Sequence, residues 1–251
     1  MSLIDSRIQQ KVLIAEFQRG VTNPIDLEFI DELQGILQAA RSNPDIHALV
    51  LTSANDKFFS IGLDIPHLYD LSPVDFSHFY HEFNRVCIEM YSLPIPIVAA
   101  ITGHAVAGGC ILAICCDHRF IAEGHKLMGL NEIKLGVPVP YPAHCILHQL
   151  VGDANARELM YLGEFIEPED ALKASLVDQV LPLHDVRPKA IEFAATLGGL
   201  SRSAFRVMKQ NHTQPVVTRI HEQLEEKESI FVEHWYGKDT RKILKAAITK
   251  F

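Results

Sequence analysis

Three short stretches carry residue types suited to proton transfer beside a carbonyl group. In Met128-Gly129-Leu130-Asn131-Glu132-Ile133-Lys134-Leu135-Gly136-Val137-Pro138 a carboxylate stands among Met128, Leu130, Ile133 and Leu135. Apolar surroundings penalise the charged form and raise a carboxyl pKa toward the range useful for proton exchange near neutrality. An exposed glutamate beside Lys134 is the alternative reading. The second stretch, Gly103-His104-Ala105-Val106-Ala107-Gly108-Gly109-Cys110-Ile111, follows a strand-like run and enters a helix. Glycines at a helix start leave N–H groups unpaired in front of the positive end of the dipole, a receptor for a developing oxyanion; tight helix–strand packing is the alternative. Neither G-x-G-x-x-G nor a P-loop fits the spacing, so phosphate cradling is disfavoured. The third is Phe58-Phe59-Ser60-Ile61-Gly62-Leu63-Asp64-Ile65, in which Gly62 permits backbone angles closed to other residues and a close approach to a ligand. An ordinary turn before a helix would look the same.

Other candidates carry less. His144 and His148 are four residues apart but lack the glutamate of a zincin helix, which predicts no metal site. His78 and His81 read as surface or satisfied core residues on an amphipathic helix. No G-x-S-x-G elbow supports Ser60 as an acyl-transfer nucleophile. The five cysteines, Cys87, Cys110, Cys115, Cys116 and Cys145, form no C-x-x-C pair and read as buried thiols.

The elements that must position these residues alternate. Residues 11–18 read as a strand, Asp26 as the N-cap of a helix with Leu27, Ile30, Leu33, Ile36 and Leu37 on one face, and 47–52 as a buried strand. Ser72 with Pro73 starts a helix to about Ser92, followed by a strand at 97–101, a short helix from Gly108 to Cys115 and a strand at 118–122. This predicts an α/β fold with largely parallel sheets. From Pro142 on, apart from a strand at 177–181, the chain reads as helix, giving a core of 1–186 and a helical extension of 187–251. Within it Glu222, Glu225, Glu226 and Glu228 read as a solvated face. A chain of 251 residues with 48% hydrophobic content can bury a sizeable core. Its net charge of −8 repels phosphate backbones and predicts no nucleic-acid partner. The apolar runs fall short of the ~18–20 residues of a membrane span. The start of the chain shows no signal-peptide pattern, which predicts a cytoplasmic protein.

Taken in order, F-S-x-G-x-D at 59–64, G-x-x-x-x-G-G-C at 103–110 and N-E-x-x-L-G at 131–136 resemble the crotonase (enoyl-CoA hydratase/isomerase) superfamily over essentially the whole chain. The resemblance implies a spiral of repeated β-β-α units and C-terminal helices that join subunits into homotrimers or hexamers. It implies that the backbone N–H groups of Leu63 and Gly108 hold the thioester oxygen of an acyl-CoA. Ser60, Ile61, Gly62, Asp64, Gly109 and Asn131 would line the substrate channel. No cofactor is implied beyond the coenzyme A of the substrate. The local pattern alone would not separate such a spiral from a doubly wound sheet.

Two departures point to the subclass. Hydratases of this family carry a glutamate where this chain has Ile111, and a water-assisting N–H where it has Pro140, which has none to give. The surviving acid, Glu132, together with the residues around 60–64 and 129–132, is most similar to the Δ3,Δ2-enoyl-CoA isomerases of fatty-acid oxidation. The resemblance therefore implies a single-glutamate proton shuttle, with Ile111 keeping the pocket dry. A hydratase or other crotonase-type enzyme, and a non-catalytic acyl-CoA-binding homologue, remain as alternatives.

Overall fold

The computed structural model describes residues 2–249. Strands β1 (Ile4–Gln9) and β2 (Val12–Phe17) form an antiparallel hairpin whose turn residues, Gln10 and Lys11, take φ values of 51° and 63°. Two successive left-handed residues give a turn whose twist matches that of the strands. The sequence reading missed β1: only Ile4 of its residues is buried, so this edge strand offers no apolar alternation to detect.

A long strand, one or two short strands and a helical segment follow one another repeatedly. After β2 come β3 (Pro24–Ile25) and α1 (Leu27–Ser42), capped by Asp26, whose carboxylate accepts the Phe29 N–H at 3.0 Å. Next are β4 (Ala48–Ser53), β5 (Phe58–Ser60), β6 (Gly62–Leu63), α2 (Ile65–Tyr69) and α3 (Pro73–Tyr91), the last capped by Ser72. The third turn is β7 (Ile97–Ile101), β8 (His104–Val106) and α4 (Gly108–Ile114). The fourth is β9 (His118–Ala122), β10 (Met128–Gly129) and a single 3-10 turn, Glu132–Leu135. The long strands form a sheet of order β1-β2-β4-β7-β9-β11, and the short ones form two small sheets, β10-β8-β5 and β3-β6. Every pairing in the large sheet except β1 with β2 is parallel. This is the crotonase-type α/β spiral that the resemblance implied.

The remaining elements are α5 (Tyr141–Leu162), α6 (Pro168–Lys173), β11 (Gln179–Leu181), α7 (Leu183–Gly198), α8 (Arg202–Tyr236) and α9 (Lys238–Ile248). Helix α7 lays Val186, Ala190 and Ala194 on Val12, Val50, Val98 and Phe120, covering one face of the large sheet. The boundary expected between 186 and 187 falls inside this helix. With both faces covered, β4 and β7 are buried along their whole length, as parallel strands require.

Helix α8 is pinned by Lys209, whose Nζ lies 2.7 Å from Asp117 and 3.2 Å from the Ile95 carbonyl. Lys209 is buried and Asp117 partly so, and the buried ammonium needs these acceptors, which fixes the register of α8 on the sheet. One detail of its solvated face differs from expectation. Glu222, Glu225 and Glu226 are exposed, but Glu228 turns inward and accepts from Asn84 Nδ2 at 3.0 Å and contacts His81 Nδ1 at 3.1 Å. Among the described residues no helix is long and apolar enough to cross a membrane.

Candidate active site

Two loops meet at the heart of the site. The β6 strand pairs in parallel with β3, and Asp64 N–H donates to the Ile25 carbonyl at 2.8 Å. Alternate N–H groups of a strand point to opposite sides, which directs that of Leu63 away from β3. Gly62 takes φ of 96°, and a Cβ on it would come within 2.7 Å of the Gly108 nitrogen. A Cβ on Gly108 would in turn lie 3.2 Å from the Leu63 nitrogen. The two amides expected to serve as a pair are therefore neighbours. Gly108 is the first residue of α4, so its N–H has no partner inside the helix.

Ala107, just before it, has φ of 48° and ψ of −122°. That conformation costs an alanine on the order of 1–3 kcal/mol. It is held by the Ala107 N–H donating to the Gly129 carbonyl at 2.9 Å and the Ile111 N–H to the Ala107 carbonyl at 2.9 Å. The strained residue turns the chain from β8 into α4 and presents the Gly108 amide. Sequence reasoning gave Ala107 no role, because nothing in an alanine announces a positive φ.

Glu132 begins the 3-10 turn after β10 and is only 6% exposed. Its Oε2 is buried with no hydrogen-bond partner. Burial pushes its pKa from the ordinary carboxylate value up to about 7, moderated by the backbone N–H groups of Glu132 and Asn131. Lys134 does not neutralise it, since its Nζ pairs with Glu164 at 2.6 Å. Of the apolar neighbours expected around Glu132, Met128 and Leu130 are buried, whereas Ile133 is 50% exposed because it packs outward beside Gly163.

Glu132, Leu63 and Gly108 line one cavity of about 730 Å³, which Ile61 and Asn131 also line. Ser60, Gly62, Asp64 and Gly109, expected along the channel, stand behind its wall instead. Ser60 is fully buried, its Oγ donating to the Asn23 carbonyl at 2.7 Å and accepting the Gly62 N–H at 3.0 Å. Asp64 caps α2, accepting the His67 N–H at 3.2 Å, and pairs with Arg19 at 3.3 Å. Gly109 allows α4 to press on β5, for a Cβ there would fall 2.2 Å from the Ser60 carbonyl oxygen. These residues shape the amide pair from behind.

Ile111 and Pro140 face the same cavity as Glu132. Its far wall, which sequence reasoning missed, is Phe231 and Trp235 of α8 with Ile243, Ala246 and Ala247 of α9. Phe76 of α3 stacks on Trp235 at 4.4 Å between ring centroids, and Tyr80 on Phe231 at 4.0 Å, so α3 backs this wall. Helix α9 is held over the turn bearing Glu132 by Thr240 Oγ1, which donates to the Gly136 carbonyl at 3.0 Å. His144 and His148 lie elsewhere, on α5, where His148 contacts Asp153 at 2.7 Å. Such a site can hold a carbonyl oxygen at two amides and exchange a proton beside it.

Comparison with known proteins agrees with this geometry. A family model described as enoyl-CoA hydratase/isomerase matches residues 7–250. The mitochondrial enoyl-CoA delta isomerase 1 of rat is 30% identical over 189 residues, which is 75% of this chain and 65% of the rat protein, just under two thirds of its length. A crotonyl-CoA hydratase of Syntrophomonas wolfei is 28% identical over 198 residues, covering 79% of this chain and 76% of that protein. The crystal structure of human mitochondrial delta3-delta2-enoyl-CoA isomerase superimposes with a TM-score of 0.95 at 25% identity, covering 99% of this chain and 97% of that one. With the match running through almost the whole length and the spiral reproduced turn by turn, this chain is a member of the enoyl-CoA hydratase/isomerase family.

Proposed function

We propose that the protein is an enoyl-CoA isomerase that moves the double bond of a 3-enoyl-CoA thioester to carbon 2. The observation that carries this reading is that Glu132 is the only acid among the described residues lining the cavity, which it shares with Ile111 and Pro140. Shifting an allylic double bond needs one base that removes a proton at carbon 2 and returns it at carbon 4. Adding water needs a water held and activated from a second position. Ile111 offers no carboxylate for that and Pro140 no N–H.

The residues divide the work as follows. The thioester oxygen takes hydrogen bonds from the Leu63 and Gly108 amides, each worth on the order of 3 kcal/mol to the dienolate if it behaves as other oxyanion donors do. Ionised Glu132 accepts the proton from carbon 2, the electron pair delocalises onto that oxygen, and the protonated acid delivers the same proton to carbon 4. A pKa near 7 suits both halves, since the group is a competent base and a competent acid at one pH. Ile111, Val137 and Pro140 exclude water that would otherwise attack carbon 3 of the product. The conversion is redox-neutral and consumes no cofactor.

The test is to supply 3-hexenoyl-CoA and follow the ultraviolet absorbance of the conjugated 2-enoyl thioester, and in parallel to supply crotonyl-CoA and follow loss of that absorbance on hydration. Isomerisation with much slower hydration is expected. Rapid hydration without isomerisation would replace this reading with the hydratase one.

A further inference from the structure

Asn23 is fully buried and lies outside the lining of the cavity. Its φ is 46°. Asparagine is among the few residues that tolerate the left-handed region, but a residue before proline is ordinarily extended, and Pro24 follows directly. Such a conformation persists only where its surroundings hold it. Here the side chain does so. Its Oδ1 accepts the Arg19 N–H at 2.8 Å, while its Nδ2 donates to Ser53 Oγ at the end of β4, at 2.9 Å, and to the Phe59 carbonyl in β5, at 3.1 Å. A backbone N–H only donates and a backbone carbonyl only accepts, so these partners fix which way the amide points.

The segment that Asn23 anchors is bonded to the Leu63 loop on both sides of that residue. The Asn23 carbonyl accepts from Ser60 Oγ at 2.7 Å, and Ser60 Oγ in turn accepts the Gly62 N–H at 3.0 Å. The Thr22 carbonyl accepts the Ile61 N–H and the Ile25 carbonyl the Asp64 N–H, each at 2.8 Å. Pro24 and Ile25 pair with Gly62 and Leu63. The N–H groups immediately before and after that of Leu63 are therefore both tied to residues 23–25. The Gly108 amide is held separately, through Ala107 and its bond to the Gly129 carbonyl. Movement of Asn23 would turn one amide of the pair relative to the other. Aim matters here, because a displacement of about 1 Å in such a site can cost about 100-fold in rate.

We infer that Asn23 is a positioning residue for the reaction: through its side-chain amide it aims the Leu63 N–H at the thioester oxygen, and so sets how strongly a bound thioester is polarised rather than how tightly it is held. The inference rests on the acyl-CoA reading above. It names no catalytic residue, since Asn23 acts only through the strand that carries Leu63.

The test uses hexanoyl-CoA labelled with heavy carbon at the thioester carbonyl, a saturated ester that cannot turn over. Infrared difference spectra follow the stretch of the bound carbonyl, which falls in frequency as hydrogen bonds to its oxygen strengthen, and calorimetry gives the affinity. The wild type is compared with Asn23→Gly and Asn23→Asp, substitutions that tolerate a left-handed φ. Glycine removes the side-chain bonds, and aspartate sets an acceptor in place of Nδ2 against the Phe59 carbonyl. Each is expected to lower kcat for 3-hexenoyl-CoA about tenfold to 100-fold, to return the carbonyl band toward that of the free ester, and to leave the affinity for hexanoyl-CoA within about threefold. An unmoved band overturns the inference whether or not stability or turnover falls, because a merely structural residue would give that result; so does a loss of affinity in step with kcat. Should neither variant fold, Ser53→Ala removes one acceptor of the amide and keeps Asn23; a smaller shift of the band in the same direction is expected, and none overturns the inference. A wild type that shifts the band yet leaves 3-hexenoyl-CoA unchanged refutes the isomerase reading, and the bands still decide the role of Asn23. A wild type that binds the ester without a shift, or does not bind it, refutes the paired-amide site and the inference with it.

Discussion

If Glu132 is the base, its ionisation must set how activity varies with pH. With a pKa of about 7 in the free enzyme, roughly a tenth of the molecules carry the carboxylate at pH 6 and roughly nine tenths at pH 8. The value of kcat/KM for 3-hexenoyl-CoA is therefore expected to rise about tenfold between those pH values and to level off above them. The same shift has a consequence for stability, because the folded state holds this proton more tightly than the unfolded chain, whose value is 4.5. A group raised on folding contributes stability below the unfolded value and loses it as pH climbs through the folded one. The displacement from 4.5 to about 7 corresponds to about 3 kcal/mol. The wild type should thus lose about 3 kcal/mol relative to Glu132→Gln between pH 4 and pH 8, read by urea unfolding of both proteins across that range. The subtraction removes whatever the amide itself costs. A rate profile flat from pH 5 to 8, or a stability difference that does not change with pH, would show that this carboxyl is not desolvated as described.

Two further outcomes follow from the wall of the site. Ser60→Ala leaves the Asn23 carbonyl and the Gly62 N–H unpaired in a buried place, so a loss of about 2–4 kcal/mol is expected in urea unfolding, with reduced turnover as the Leu63 amide shifts; a loss under about 0.5 kcal/mol would mean that the clamp does not hold the loop. Ile111→Glu places a second carboxylate in the cavity of Glu132. Like charges in one desolvated cavity raise each other's pKa by about one to two units, so the midpoint of the rate profile is expected to move above 8, and an unmoved midpoint would show that the two positions do not share one dry space.

The legible parts of the chain were those where chemistry is local. Asp26 and Ser72 with Pro73 mark helix starts through a side-chain oxygen and a fixed φ, and the strands at 48–53 and 97–101 are buried on both faces, which leaves nearly unbroken apolar runs. The glycine pairs around Leu63 and Gly108 were readable because close approach leaves few residue choices. What stayed hidden depends on partners distant in sequence. The strands of two or three residues that turn each spiral repeat have no room for a period, and β1 has no apolar face. The positive φ of Ala107 is imposed by its bonding to Gly129. Ser60 looked like a channel residue because its hydroxyl partner, Asn23, lies on another loop. The far wall of the cavity, Phe231, Trp235, Ile243, Ala246 and Ala247, is contributed by helices about a hundred residues beyond Glu132. No spacing rule joins them to it.

The central claim is that one acid moves the proton, and Glu132→Gln tests it with least interference because the amide keeps the shape of the side chain and removes only its basicity. Turnover of 3-hexenoyl-CoA is expected to fall by about 100-fold to 10,000-fold, while the affinity for hexanoyl-CoA stays within about a factor of three of the wild type. Turnover within tenfold of the wild type, at unchanged affinity, would place the base elsewhere.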